Sequence, residues 1–191
     1  MPMDDIFGVL NQSATEAARR LLGCVLERRI DGHLIRVKIV ETEAYDETDV
    51  ASHSYRGETA RTRDMFGAAG HLYVYFTYGM HYCCNIVTGP VGTGAAVLIR
   101  AVEPLEGMEH IAYRRMREGV EVTNGPAKLC HALGIDIRLA GHDLRADPLR
   151  IISQPPIPPD SITQTARIGI TKGVDIPWRF FITGNPYVSK Q

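Results

Sequence analysis

The chain has 191 residues, of which 45% are hydrophobic and 23% charged, and its formal net charge is −1. This length and apolar content suit one domain with a sizeable core, so we expect residues 1–191 to form a single domain. The near-neutral charge argues against a protein that holds nucleic acid through overall charge. The absence of a run of about 20 apolar residues, and of a basic start typical of export signals, predicts a cytoplasmic protein with no membrane partner.

The first regular element predicted along the chain is a helix. Ser13 and Glu16 have the spacing of a capping box, in which each side chain satisfies a backbone amide of the first turn. The helix is therefore predicted from Ala14 to Leu22, with Gly23 ending it.

A long strand is predicted from Leu34 to Tyr45. Successive side chains of a strand point to opposite faces, which places apolar side chains together over its first half. The same alternation places Glu41, Glu43 and Tyr45 on one side. The strand thus presents carboxylates and an aromatic ring to the same space.

Residues 46–70 are rich in Gly, Asp, Ser and Thr and predict a long irregular loop, which in a compact domain is usually functional. Strands follow at Tyr73–Thr77 and Tyr82–Val87. They are joined by a turn at Tyr78-Gly79-Met80, in which Gly79 can supply a positive φ.

The remaining elements mix strands and helices without a regular βαβ alternation. Strands are predicted at Ala95–Val102, Arg167–Ile170 and Phe180–Thr183, and helices at Gly107–Arg117 and Pro126–Leu133. This order predicts an α+β domain, with surrounding helices on a mostly antiparallel curved sheet and a protruding β-hairpin.

The cations are clustered although the net charge is small. Arg56, Arg61 and Arg63 fall in one loop, between the carboxylate strand and the tyrosine-rich strands, which favours phosphate contact there. Lys128 lies near the start of a predicted helix and suits a phosphate by charge and by the helix N-terminus. The four cysteines match neither a zinc spacing nor a disulfide framework, so we expect reduced, mostly buried thiols.

Five segments carry a resemblance to a known family. They are Val40–Tyr45, Ala51–Arg56, Leu72–Met80 with Asn85, Ala96–Gly107 and Asn124–Cys130. In this order they resemble the alkyladenine DNA glycosylases, the mammalian type of 3-methyladenine DNA glycosylase. The resemblance covers Leu21 to Val188, and the short N-terminal segment is more like the bacterial members.

The resemblance implies a base-excision-repair enzyme that acts on damaged double-stranded DNA as a monomer without a cofactor or metal. Such an enzyme flips a purine out of the stack and holds it in a pocket. The resemblance implies Tyr45, His53 and Tyr75 as the pocket walls and Asn85 as the residue that rejects guanine. Tyr78, at the hairpin tip, is implied to fill the gap left in the stack.

For the chemistry, the resemblance implies Glu43 as the general base. Arg100 would orient it and the water, and the main-chain carbonyl of Ile168 would be a further water contact. Glu41 shares the predicted face with Glu43, so strand alternation alone leaves both carboxylates open, and the motif alignment selects Glu43. No lysine occupies a catalytic position, so a Schiff-base lyase step is not expected.

Two other interpretations start from the same residues. A non-catalytic damaged-DNA-binding module would need only the pocket and the hairpin, and the presence of both Glu43 and Arg100 argues against it. A metal hydrolase would use Glu43 and His53 with His71 or His81, but no spacing among them resembles a helical metal-ligand motif.

Overall fold

Antiparallel strand pairing organises the chain. The computed structural model describes residues 5–190, and residues 1–4 and 191, which the sequence assigns to the same domain, lie outside them. The strands are β1 (Val25–Ile30), β2 (His33–Tyr45), β3 (Leu72–Thr77), β4 (His81–Thr88), β5 (Ala95–Glu106), β6 (Leu149–Ile152), β7 (Ile162–Thr165) and β8 (Arg179–Ile182). The α-helices are α1 (Ile6–Leu10), α2 (Ala14–Leu21), α3 (Met108–Arg115) and α4 (Pro126–Leu133).

The strands form one sheet in the order β3-β4-β5-β2-β1-β6, to which β8 is added beside β2 and β7 beside β8. β2 is the organising strand, because it pairs with β1, β5 and β8. Its register against β5 shifts three times, twice at Glu41, and such bulges bend a strand. The predicted single α+β domain on an antiparallel sheet is confirmed.

The core forms where the apolar face of the sheet meets the helices. Ile35, Val37 and Ile39 are fully buried on β2, as alternation predicts, and each buried side chain of this size contributes about 1.5–3 kcal/mol. The predicted capping box at Ser13 is present at the start of α2. On the helix side of β2, the Thr42 hydroxyl donates to the Ala18 carbonyl at 2.9 Å, which ties α2 to the strand.

The hairpin predicted between the tyrosine-rich strands is confirmed. Thr77 and His81 form the last pair of β3 and β4, and the turn between them is Tyr78-Gly79-Met80. Gly79 has φ +68°, and Tyr78 also has a positive φ of +50°. A bulky residue rarely adopts this conformation, so the turn holds the Tyr78 ring outward at a local cost in backbone energy.

The strand predicted at Arg167–Ile170 is wrong. Those residues form a bend in irregular backbone, and the strand of that region is β7, which ends before them. Gly169 has φ +72°, and the Arg167 guanidinium is drawn inward to buried acceptors, so the alternation of polar and apolar residues there does not describe a strand. The predicted loop of residues 46–70 contains two short 3-10 helices, His53–Arg56 and Arg63–Phe66.

No helix within residues 5–190 has the length and apolar content that crossing a membrane requires.

Candidate active site

A cavity of about 550 Å³ opens between the end of β2, the β3–β4 hairpin and two loops. Nine of the eleven residues predicted for catalysis, base binding or DNA binding line it: Glu43, Tyr45, His53, Arg61, Tyr75, Tyr78, Asn85, Arg100 and Ile168. The other two, Arg63 and Lys128, lie outside its lining. The tertiary structure thus brings residues from five separate segments to one space.

Glu43 is the fully buried carboxylate of this cavity. Its Oε2 accepts a hydrogen bond from the Tyr45 hydroxyl at 2.7 Å, and its Oε1 accepts one from the Ile168 backbone amide at 2.8 Å. Arg100 Nη1 lies 3.4 Å from Oε1. Two hydrogen-bond donors and the Arg100 charge therefore hold one carboxylate at the end of β2.

Glu41, the carboxylate that strand alternation left open, has a different environment. It does not line the cavity, and its oxygens accept from Arg179 Nε at 2.6 Å, from Arg100 Nε at 3.1 Å, and from the amide and hydroxyl of Ser189. Its Oε1 accepts three of these hydrogen bonds and its Oε2 accepts one, and the carboxylate is fully buried away from the cavity. Of the two carboxylates, Glu43 is therefore the one that faces the cavity.

Aromatic rings form the sides of the cavity. The His53 ring lies edge-on to Tyr75 with centroids 4.6 Å apart, and its Nδ1 is 3.0 Å from the Tyr73 hydroxyl. Burial raises the pKa of the Tyr45 and Tyr75 phenols well above their ordinary value, and the Glu43 charge reinforces this at Tyr45. Partial burial and then the Arg61 charge lower the pKa of His53, so these walls are neutral at pH 7.

Sequence reasoning missed Arg167 and Asp49, which form a buried ion pair behind Tyr45. The Arg167 guanidinium donates to both oxygens of Asp49 and to the Ala44 carbonyl, and lies 4.6 Å from the Tyr45 ring centroid. The pair joins the loop after β2 to the loop that carries Ile168. The two residues are 118 positions apart, and no local sequence signal indicates that they meet.

Asn85 lies on β4 in the cavity wall and is 5% exposed. Its Nδ2 donates to the Tyr73 carbonyl at 3.1 Å, which fixes the amide plane. Cys83, two residues earlier on the same strand face, also lines the cavity, and burial raises the pKa of its thiol to about 11. All four cysteines are free and buried, as predicted.

The hairpin tip and the nearby cations face solvent. The Tyr78 side chain is 86% exposed, with Met80 beside it in the turn. Arg61 lies 5.8 Å from the Tyr75 ring centroid at the cavity wall, and Arg63 is exposed in the same loop. Lys128, in the first turn of α4, is held by Glu121 and Asn124 at 2.8 Å each.

The residues of the metal-hydrolase interpretation do not converge. His71 Nδ1 lies 3.1 Å from the Ala68 carbonyl, and His81 begins β4 at the hairpin. Over residues 5–190, no group of three or more His, Cys, Asp or Glu side chains could hold a metal ion.

Comparison with known proteins places the chain in a class and then in a family. The class is that of the DNA glycosylases, since the sequence model of the methylpurine-DNA glycosylase (MPG) family matches residues 8–186. A relative from Carboxydothermus hydrogenoformans, named "Putative 3-methyladenine DNA glycosylase", is 51% identical over 91% of this chain and 92% of its own length. The chain belongs to the methylpurine-DNA glycosylase family.

Two further relatives carry the same name. The protein from Methanoculleus marisnigri is 48% identical, over 91% of this chain and 92% of its own length. The protein from Francisella tularensis subsp. tularensis is 42% identical, over 99% of this chain and all of its own length. The similarity therefore extends across the whole fold, including every strand that contributes to the cavity.

Proposed function

We propose that the protein flips alkylated or deaminated purines out of double-stranded DNA and hydrolyses their N-glycosidic bond. The substrates proposed are 3-methyladenine, 7-methylguanine, hypoxanthine and ethenoadenine. The single observation that carries the proposal is the buried Glu43 carboxylate, held by two hydrogen bonds and the Arg100 charge in the wall of an aromatic cavity. The cavity volume of about 550 Å³ falls in the range usual for small-molecule sites.

Glu43 acts as the general base. A carboxylate can accept at about four positions; the Tyr45 hydroxyl and the Ile168 amide donate to two of them, and Arg100 lies beside Oε1, so a position is left for a water molecule. The water oxygen attacks C1′ of the sugar, its proton passes to Glu43, and the purine nitrogen leaves with the electrons of the glycosidic bond. The carboxylate also stabilises the positive charge that develops on the sugar in an oxocarbenium-like transition state.

Arg100 and Ile168 orient the base and the water. Arg100 is 7% exposed and reaches both Glu41 and Glu43, which limits the movement of its guanidinium. The Ile168 amide donates to Glu43, and its carbonyl is proposed to accept from the attacking water. These contacts place the water near the carboxylate before the substrate arrives, which lowers the entropy cost of the reaction.

Base recognition rests on the rings. Tyr45, His53 and Tyr75 hold the flipped base between flat surfaces, and Asn85 meets its edge. Because the Asn85 amide is fixed by the Tyr73 carbonyl, it cannot move aside for the 2-amino group of guanine. Tyr78 enters the duplex from the hairpin and replaces the flipped base in the stack, which offsets the few kcal/mol that unstacking costs.

DNA phosphates are proposed to contact Arg61, Arg63 and Lys128. Arg61 and Arg63 lie in the loop that borders the cavity and have no carboxylate partner among the described residues. Lys128 is different, because its ammonium is held by Glu121, so a phosphate would have to compete with that carboxylate. Lys128 is therefore the weaker of the phosphate contacts.

The reaction is proposed to stop at the abasic site. A lyase step would need an amine that attacks C1′, and Lys172, an exposed lysine at the cavity, could reach it only from the rim. Reduction with borohydride during turnover tests this: we expect no covalent protein–DNA product. A trapped product that disappears in Lys172→Ala would instead make the enzyme bifunctional.

Replacing Glu43 by Gln tests the proposal as a whole. The change keeps size and hydrogen bonding but removes the base, so single-turnover release of hypoxanthine from duplex DNA, measured in EDTA, should fall about 100- to 10,000-fold. Binding to the damaged duplex should be retained. The matched control is Glu27→Gln, since Glu27 is another buried strand carboxylate that pairs with two arginines, Arg36 and Arg150, far from the cavity.

Three outcomes separate the candidate functions. A large loss in Glu43→Gln with normal Glu27→Gln supports the glycosylase mechanism. Tight binding of damaged DNA by the wild-type protein without any base release would identify a non-catalytic binding module. Base release by Glu43→Gln within tenfold of the wild-type rate would remove Glu43 from the mechanism.

A further inference from the structure

A buried network lies directly behind the cavity and is centred on Glu41. Its carboxylate accepts from Arg179 Nε at 2.6 Å, Arg100 Nε at 3.1 Å, the Ser189 amide at 2.7 Å and the Ser189 hydroxyl at 2.9 Å. Arg179 is 2% exposed and Glu41 is fully buried. None of these contacts touches the cavity, except through Arg100.

The network balances its charges. Glu41 and Glu43 supply two negative charges, and Arg100 and Arg179 supply two positive charges in the same buried space. Arg179 is bound to Glu41 and to the Thr165 hydroxyl, so it compensates Glu41 without reaching Glu43. Arg100 is the one member that contacts both carboxylates.

Arg100 is held from two sides. Its Nε donates to Glu41, and its Nη2 donates to the Ser189 hydroxyl at 3.4 Å. With these two atoms fixed, the planar guanidinium can direct only Nη1 towards Glu43, where it lies at 3.4 Å. The Ser189 hydroxyl also donates to Glu41, so one hydroxyl touches both the arginine and its anchor.

We propose that Ser189 and Glu41 are positioning residues, which hold Arg100 at the distance and angle it needs to orient Glu43. This inference rests on the proposed function of Glu43 as the general base. Ser189 is separated from Arg100 by 89 residues in the sequence, and it does not line the cavity. Its effect on the reaction is transmitted through the Arg100 guanidinium.

The hydroxyl and the amide of Ser189 have separable roles. The hydrogen bond from the Ser189 backbone amide to Glu41 ties the chain around Ser189 to β2, and this hydrogen bond is kept in Ser189→Ala. The hydroxyl is the group that contacts Arg100, and it is removed in Ser189→Ala and kept in Ser189→Thr. Ser189→Ala therefore removes the positioning hydroxyl and Ser189→Thr restores it, while the hydrogen bond from the backbone amide is present in both variants.

The experiment measures single-turnover base release from a hypoxanthine duplex as a function of enzyme concentration. In Ser189→Ala the saturating rate should fall roughly three- to tenfold, the effect of removing one hydrogen bond, while the half-saturating concentration stays unchanged. Ser189→Thr should restore the rate. Thr42→Val is the matched control, because it removes a buried hydroxyl on the opposite face of β2 and should leave the rate unchanged.

A double-mutant cycle tests whether Ser189 acts through Arg100. In the Arg100→Ala background, adding Ser189→Ala should lower the rate by less than about twofold, because the guanidinium that Ser189 positions is already absent. Glu41→Gln should show the same loss alone and the same lack of effect in the Arg100→Ala background. The inference would be overturned if the effect of Ser189→Ala or Glu41→Gln on the rate were fully additive with that of Arg100→Ala. A normal rate in Ser189→Ala would also overturn it.

The failure of this inference is distinguishable from failure of the proposed function. Glu43→Gln measured beside these variants reports on the function: if it stays active, both ideas fail. If Glu43→Gln is inactive and Ser189→Ala is normal, only the positioning role fails. A melting temperature that falls equally in Ser189→Ala and Ser189→Thr, with equal loss of rate, would show that Ser189 supports the fold and not the position of Arg100.

Discussion

The ion pair of Asp49 and Arg167 gives a sharp test of how the cavity is built. Both side chains are fully buried, and Arg167 also donates to the carbonyls of Ala44 at 3.0 Å and Gly173 at 3.5 Å. Asp49→Ala would leave the guanidinium buried with only neutral acceptors. Removing one partner of a buried pair costs about 3–5 kcal/mol, so we expect the free energy of unfolding to fall by that amount.

The matched control is Glu106→Ala. Glu106 lies 3.5 Å from Arg36, and both side chains are about half exposed. Exposed pairs contribute about 0–1 kcal/mol, so the two variants should differ by at least about 2 kcal/mol. Urea denaturation followed by circular dichroism measures both values. Decreases that agree within about 1 kcal/mol would refute the reasoning, since a buried pair would then be worth no more than an exposed one.

The same variant should also affect the site. The Arg167 guanidinium lies 4.6 Å from the Tyr45 ring and holds the loop that carries the Ile168 amide. When the pair is broken, both donors to Glu43 lose support. We therefore expect Asp49→Ala to bind damaged DNA more weakly than Glu106→Ala, even at temperatures where both proteins are folded.

Three further predictions concern DNA and base recognition. Tyr78→Ala should weaken excision from duplex DNA, because no ring replaces the flipped base, and weaken it less from an unpaired bulge; equal losses in the two substrates would show that Tyr78 is not the wedge. Shortening Asn85 to Ala should raise the ratio of the single-turnover rate for guanine to that for hypoxanthine, because the fixed amide no longer blocks the 2-amino group of guanine. An unchanged or lower ratio would assign the exclusion of guanine to another residue. Neutralising Arg61 or Arg63 should reduce the slope of log K for DNA binding against log salt by up to about 0.9 for each phosphate contact that is lost. An unchanged slope with both arginines replaced would place the DNA-binding surface elsewhere.

Periodicity and capping were enough to predict much of the fold. The Ser13 capping box, the long strand ending at Tyr45 and the hairpin turning at Gly79 are all set by local rules. Local rules failed at Arg167–Ile170, where alternation suggested a strand. There the arginine is drawn to an aspartate 118 residues earlier, and no local pattern carries that information.

Val25–Ile30 forms β1, a strand that is not among the predicted elements and that contains three charged residues. Glu27 and Arg28 are buried in β1, where Glu27 pairs with Arg36 and Arg150, and Arg28 donates to backbone carbonyls, including those of Leu133 and Gly134. In the sequence alone, Glu27, Arg28 and Arg29 in the middle of this segment resemble an exposed polar surface. Only the folded chain shows that Glu27 has charged partners and that Arg28 has carbonyl acceptors.

The sequence by itself determined the family, the antiparallel α+β class and the set of residues that could form the site, because motifs and strand alternation are local properties. Strand alternation left Glu41 and Glu43 both open and the family motif selected Glu43, but only the tertiary structure shows how their surroundings differ. Glu41 and Glu43 share one face of β2, but Arg179 and Ser189, from distant parts of the chain, bind Glu41 and leave Glu43 to the cavity. This difference depends on contacts between residues 138 and 148 positions apart, which strand alternation does not contain.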